Sequence, residues 1–224
     1  MTFSIVARCT RTDQLGMAVS SSSPAVAARC AHAKAGVGVV ASQNITDPRL
    51  GPKTLLAMAE GHSAPEAVKM IINASKNADF RQLLAVDARG NAAIYSGSKS
   101  LGTHADFASH NAAAAGNLLA NPNIPEAMVT AFHQGTGHLC DRLIDAMRAA
   151  LALGGEAGAL HSAGLLLVGE QEWPMADLRC DWTEDCPIEA VAAAWNIYKP
   201  QMDDYIVRAL DPAKAPQYGV PGDE

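Results

Sequence analysis

The order in which extended and helical segments follow one another constrains this chain more than any single motif. Residues 2–9 read as a strand of β-branched and aromatic members, the polar run 10–14 turns the chain, and residues 15–22 return as a second apolar strand. This predicts a hairpin at the extreme N-terminus. After a short Ala-rich passage, residues 36–43 supply a third strand, closed by the turn formers Asn44, Asp47 and Pro48. Two helices are expected next, over 53–60 and 64–74, the second with Ser63 as N-cap and Pro65 at its first position. Strands 83–86 and 92–95 then flank a tight turn containing Gly90 and Asn91, which gives a second hairpin. A short strand at 111–115 runs into Gly116-Asn117, helices over 125–133 and 139–152 precede an apolar strand at 163–169, and 187–198 and 202–210 read as helices.

Hairpins that alternate with pairs of helices describe two mainly antiparallel sheets stacked face to face with helices outside. The expected fold class is therefore α+β, a four-layer αββα sandwich. A doubly wound parallel sheet would need a helix after nearly every strand, and this chain does not supply one. With 224 residues, one contiguous core suffices, so residues 1–210 are expected to form a single domain and 211–224 a Pro/Gly-rich tail. Hydrophobic residues make up 49% of the chain but aromatics only 5%, which favours close-packed small side chains between layers.

The charge of -6 without any Lys/Arg cluster argues against nucleic acid as a partner. No run approaches the roughly 20 apolar residues of a membrane helix, so no membrane partner is expected. The N-terminus does not read as a signal peptide, and five scattered cysteines suit a reducing compartment. A cytoplasmic protein is the expectation.

Two motif matches carry no chemistry. Residues 36–41 satisfy G-x-G-x-x-A, yet the glycines open a strand and no helix begins there. Ser96 to Lys99 satisfies S-x-x-K but follows a strand instead of opening a helix. His133 and His138 lie five apart, off the spacing that would place them on one helical face, and Cys180 and Cys186 lack knuckle spacing. Neither a metal nor any other cofactor is expected.

Chemistry is better sought at Thr2, the first residue once Met1 is removed. An α-amine has an ordinary pKa of about 7.7 to 8.0, so part of it is neutral near pH 7 and can accept the hydroxyl proton of its own residue. Nucleophile and base are then one residue. By position alone, Thr2 also reads simply as the start of a strand that threonine favours. The hairpin adds weight: a turn centred near Thr12 sets Thr2 opposite Ser21 or Ser22, whose hydroxyls could orient the amine or relay a proton. Both serines also suit a loop before Pro24. If the third strand runs beside the second, Lys34 approaches Thr2, and its charge would lower the pKa of the amine. Asn44 and Asn117 stand where strands give way to loops and are candidate oxyanion donors, or turn residues accepting positive φ. Gln43, Asn44 and Asp47 are the candidate substrate-binding residues.

These residues sit in segments that resemble the DUF1028 family. The resemblance rests on Thr2-Phe3-Ser4-Ile5-Val6-Ala7-Arg8, on residues 35–43, on Asp47-Pro48-Arg49-Leu50-Gly51-Pro52, and on Gly116-Asn117-Leu118-Leu119. It implies a fold similar to the N-terminal-nucleophile hydrolases and, by extension, cleavage of a carbon–nitrogen bond in a small substrate. Two rival expectations stand beside it: a ligand-binding protein that kept the fold without the chemistry, and an enzyme working from Asn44, Asp47 and Asn117. A homodimer is expected from apolar faces on the outer helices.

Overall fold

The computed structural model describes residues 2–220. These form β1 (Thr2–Arg8), β2 (Leu15–Ser21), α1 (Ala27–Cys30), β3 (Ala31–Lys34), β4 (Gly38–Asn44), α2 (Leu50–Ala59), α3 (Ala64–Asn73), β5 (Arg81–Asp87), β6 (Ala92–Ser96), β7 (Ala105–Ser109) and β8 (Ala112–Asn117). After these come α4 (Ile124–Gln134), α5 (Leu139–Ala152), β9 (Ser162–Val168), β10 (Ala176–Cys180), α6 (Pro187–Tyr198) and α7 (Met202–Leu210). One sheet has the order β10-β9-β2-β1-β8-β7 and the other β3-β4-β5-β6, with every pairing antiparallel.

The two sheets stack, with α4, α5 and α6 on the outer face of the larger and α2 and α3 on that of the smaller. The expected αββα layering is the observed one. Strand parity explains why. On β1, Phe3, Ile5 and Ala7 pack with Phe132, Leu139 and Leu143 of the helical layer, whereas Val6 faces the second sheet among Met17, Val19, Val39, Ala41, Leu84, Val86, Ala113 and Ala115. Strands buried on both faces need no polar alternation, which is why β1, β2 and β9 read as nearly unbroken apolar runs.

Helix starts follow their capping chemistry. Ser63 and Glu66 form a reciprocal capping box at α3, and Pro65, Pro125 and Pro187 occupy the first turns of α3, α4 and α6. Trp195 is fully buried, and its indole N–H is met by Asp141 Oδ1 at 2.8 Å.

Four elements were not expected from the sequence: α1, β3, β7 and β10. β7 and β10 form the two edges of the larger sheet, and with Asp106, Asp177 and Arg179 they carry polar residues that suit an edge and hide a strand signal. The third expected strand, β4, does not lie beside β2. It pairs with β3 and β5 in the other sheet. Part of the tail folds back, since Arg208 lies 3.9 Å over the ring of Tyr218.

Candidate active site at the start of the first strand

At one end of the space between the sheets the apolar rows continue as polar residues. Thr2, Ser4, Ser21, Gln43, Gln82 and Asn117 are all buried there, and Thr2 is 5% exposed. Register places them: Phe3 pairs with Ser20, which sets Thr2 across from Ser21, while Thr2 itself pairs with Asn117 of β8.

Thr2 Oγ1 donates to Ser21 Oγ at 3.3 Å, and Ser21 Oγ lies 2.8 Å from Ser23 Oγ. The Ser23 N–H also donates to Ser21 Oγ, at 3.1 Å. Either hydroxyl of the Ser21–Ser23 pair can be the donor. Ser23 Oγ accepts in turn from Arg29 Nη2 at 2.6 Å. Two serine hydroxyls thus link Thr2 Oγ1 to a guanidinium, whose positive charge favours negative charge developing on that oxygen.

Arg29 is held by its Nη1, which donates to the carbonyls of Pro24 at 2.6 Å and Ala25 at 3.0 Å. The loop is pinned to β9, where Ser162 Oγ donates to Ser23 O at 2.6 Å and accepts from the Val26 N–H at 3.2 Å. Ala27 of α1 sits directly on Gly164, where a Cβ would collide with it. Ala25 at φ +50° and Leu118 at φ +52° are left-handed without being glycine, and they flank the two segments that form the site.

Beneath Thr2 lies an amide cluster whose orientation is forced by backbone carbonyls. Gln82 Nε2 donates to Gly116 O at 3.1 Å and Gln43 Nε2 to Ala115 O at 3.1 Å, so each side-chain oxygen must point the other way. Gln43 Oε1 then accepts from Ser4 Oγ at 2.6 Å. Gln82 Oε1 accepts from Gln43 Nε2 at 3.2 Å and from Asn117 Nδ2 at 3.0 Å. Asn117 Oδ1 is left buried without a partner.

Glu156 closes the site. It is 4% exposed, it forms an antiparallel bridge with Leu119 just beyond β8, and its Oε2 accepts from the Ser22 N–H at 3.2 Å just beyond β2. Its Oε1 is buried and unpartnered. Burial pushes the carboxyl up to about 7, opposed by its bonds to Ser22 and by the positive charge of nearby His161.

The expectations for individual residues divide. Thr2 and Ser21 meet as their hairpin register implied. Ser22 takes part through its backbone N–H and its side chain, both of which meet Glu156. Lys34 does not approach Thr2, because β4 joined the other sheet. It pairs with Gly38, at the opposite end of β4 from Gln43, and lies exposed along a cleft of about 660 Å³ with Asp13, Glu170 and Glu172. The cation tied to Thr2 is Arg29 instead. Asn117 donates one amide N–H to Gln82 Oε1 and keeps its Oδ1 buried without a partner. Asn44, at φ +71°, ties loops together by donating to Phe80 O at 2.6 Å and accepting from the Leu101 N–H at 3.2 Å. Gln43 belongs to the buried amide cluster. Asp47 is engaged by Arg49, whose hydrogen bond and charge hold its carboxyl down to about 2. Sequence reasoning passed over Ser23, Arg29, Gln82 and Glu156. Of these only Gln82 had a signal, a polar residue on the inward parity of β5. Met1 lies outside the described residues.

An αββα sandwich with a buried threonine hydroxyl at the first position of its central strand defines the class of molecule. The sequence matches the model of the family described as "Family of unknown function (DUF1028)" over residues 2–191, and the chain belongs to that family. It is similar to the crystal structure of the DUF1028 protein SPO2555 from Silicibacter pomeroyi, at 29% identity and a TM-score of 0.82 over 88% of this chain and 89% of that one. More distant likenesses are Anbu (ancestral beta-subunit) from Yersinia bercovieri, at 12% identity and a TM-score of 0.41 over 91% and 96% of the two chains, and the Anbu Gly-1 mutant from Hyphomicrobium sp. strain MC1, at 10% and 0.44 over 98% and 100%. No curated protein matches the chain. Among the described residues no helix is long and apolar enough to cross a membrane, and no group of three or more His, Cys, Asp or Glu is placed to hold a metal ion.

Proposed function

We propose that the protein is an amidohydrolase that cleaves the carbon–nitrogen bond of a small substrate through Thr2. With Met1 removed, the Thr2 α-amine takes the proton of Oγ1 as that oxygen attacks the substrate carbonyl. The ammonium then gives the proton to the departing nitrogen, and water releases the acyl group from Thr2. The observation that carries the reading is the buried Thr2 hydroxyl at the start of β1, linked through Ser21 and Ser23 to the Arg29 guanidinium, whose positive charge favours charge on the attacking oxygen.

Intact mass and N-terminal peptide mapping of untagged protein, followed by incubation with an electrophilic β-lactone, test it. Loss of Met1 and a single adduct on Thr2 are expected. Retained Met1, together with ligand-induced stabilisation and no turnover, would overturn it in favour of a binding protein of the same fold. We place this activity in a homodimer joined through the outer helices, where Ile197 is 69% and Leu210 58% exposed; sedimentation at micromolar concentration checks it.

A further inference from the structure

Strand β1 lies between β2 and β8 in the larger sheet, so its first residue opens between the ends of those two neighbours. Glu156 touches the continuation of both: its Oε2 receives the N–H of Ser22, next after β2, and its backbone bridges Leu119, two residues beyond β8. A residue tied to the continuations of both flanking strands lies at the end of the strand between them. Glu156 therefore lies at the end where β1 begins. Two buried acceptors lacking partners, Glu156 Oε1 and Asn117 Oδ1, border that position, and Asn117 is the register partner of Thr2. An unpartnered buried acceptor costs stability, and a group carrying several N–H donors relieves both at once.

We propose that Glu156 is the positioning residue and proton partner of the Thr2 α-amine in the chain that begins at Thr2, with Asn117 Oδ1 as the amine's second acceptor. This rests on the reading of Thr2 as an N-terminal nucleophile and adds to it the group that holds the base. The proton bookkeeping is closed. Near neutral pH the pair shares one proton, carried either as ammonium beside carboxylate or as amine beside carboxylic acid, and the second form is the one that accepts the Oγ1 proton. The upward displacement of the buried Glu156 carboxyl brings its proton affinity near that of an α-amine, which is what such sharing needs. The other charged groups on this side are His161, whose Nδ1 lies 2.8 Å from Thr183 O and 3.8 Å from Glu184, and Arg29, held through Ser23. Of these, His161 acts on Glu156 through its charge. The arrangement also reverses the electrostatics expected from Lys34: the amine has a carboxyl for a neighbour and not an ammonium, so its proton is held more tightly.

The test uses the full chain released from a cleavable N-terminal fusion so that Thr2 is its first residue, labelled with 15N-threonine. The amine nitrogen resonates far from the backbone amides, and its shift against pH gives the amine pKa. Glu156→Gln, which keeps the side chain's shape, is expected to lower that pKa by at least one unit, and Glu156→Asp to lower it by less. An amine pKa unchanged in both variants overturns the proposal; should Glu156→Gln fail to fold, Glu156→Asp decides by the same criterion. The β-lactone adduct is read separately. Absence of an adduct in a chain whose amine responds to Glu156 refutes the hydrolase reading and leaves the pairing standing.

Discussion

The two ends of the space between the sheets are built from the same strands and finish differently. At the Thr2 end, β1, β2, β4, β5 and β8 close on hydroxyls, carboxamides and a carboxyl that are all buried, with Gln43, Gln82 and Glu156 oriented by backbone carbonyls or an amide. At the other end Arg8 pairs with Asp13, whose side chain is 79% exposed, and Lys34 lies in water along an acidic cleft. Charge at the second end is screened and contributes little. Charge at the first is desolvated, so a single buried carboxyl is displaced by units and one hydroxyl can be biased toward ionisation. An end of the sandwich gains chemistry here by losing water, not by gathering charges.

Substitutions at the two ends measure that contrast. The largest effect belongs to Thr2→Ala, which should lower β-lactone adduct formation at least roughly 10³-fold, read by intact mass, because nucleophile and base are lost together. Next comes the pH dependence of stability. Glu156 has a folded-state value of about 7, above its ordinary 4.5. Below about pH 4.5 both folded and unfolded chains are protonated there and nothing is lost. Between about 4.5 and 7 the unfolded chain ionises first, so the folded state loses stability as pH rises, and the full penalty stands above 7. Glu156→Gln should therefore match the parent at pH 4 and exceed it by up to about 3 kcal/mol at pH 8 in urea unfolding, with a smaller gain where the Thr2 amine begins the chain and pairs with the carboxylate.

Arg29→Gln removes the cation but keeps a donor for Ser23, and about a tenfold slower adduct rate is expected. A rate equal to the parent's would mean that the hydroxyl chain ends without electrostatic consequence. Smallest of all is Lys34→Ala, for which adduct rate and stability should stay within about 0.5 kcal/mol of the parent. If Lys34→Ala slowed the reaction as much as Arg29→Gln, the contrast between the two ends would collapse.

Much of the fold was legible because its signals are short-range. Residues 139–152, 187–198 and 202–210 were read as helices with the observed bounds, since apolar spacing near 3.6 and prolines at first turns act locally. The meeting of Thr2 and Ser21 followed from the position of one turn. Edge strands were not legible: β7 and β10 face solvent, so their composition resembles loop.

The same division runs through the site. By itself the sequence determined the order of elements, the register of the first hairpin and the parity that sends Thr2 and Ser4 inward, because hydrogen-bond pairing across a short turn and side-chain alternation need only neighbouring residues. Only the tertiary structure decided that β4 would join the second sheet, carrying Lys34 to the far end, and that Arg29 and Glu156 would arrive at Thr2. Those outcomes depend on strand order and on which apolar faces stack. They are settled by burial summed over the whole core, and no local pattern in a single strand records them.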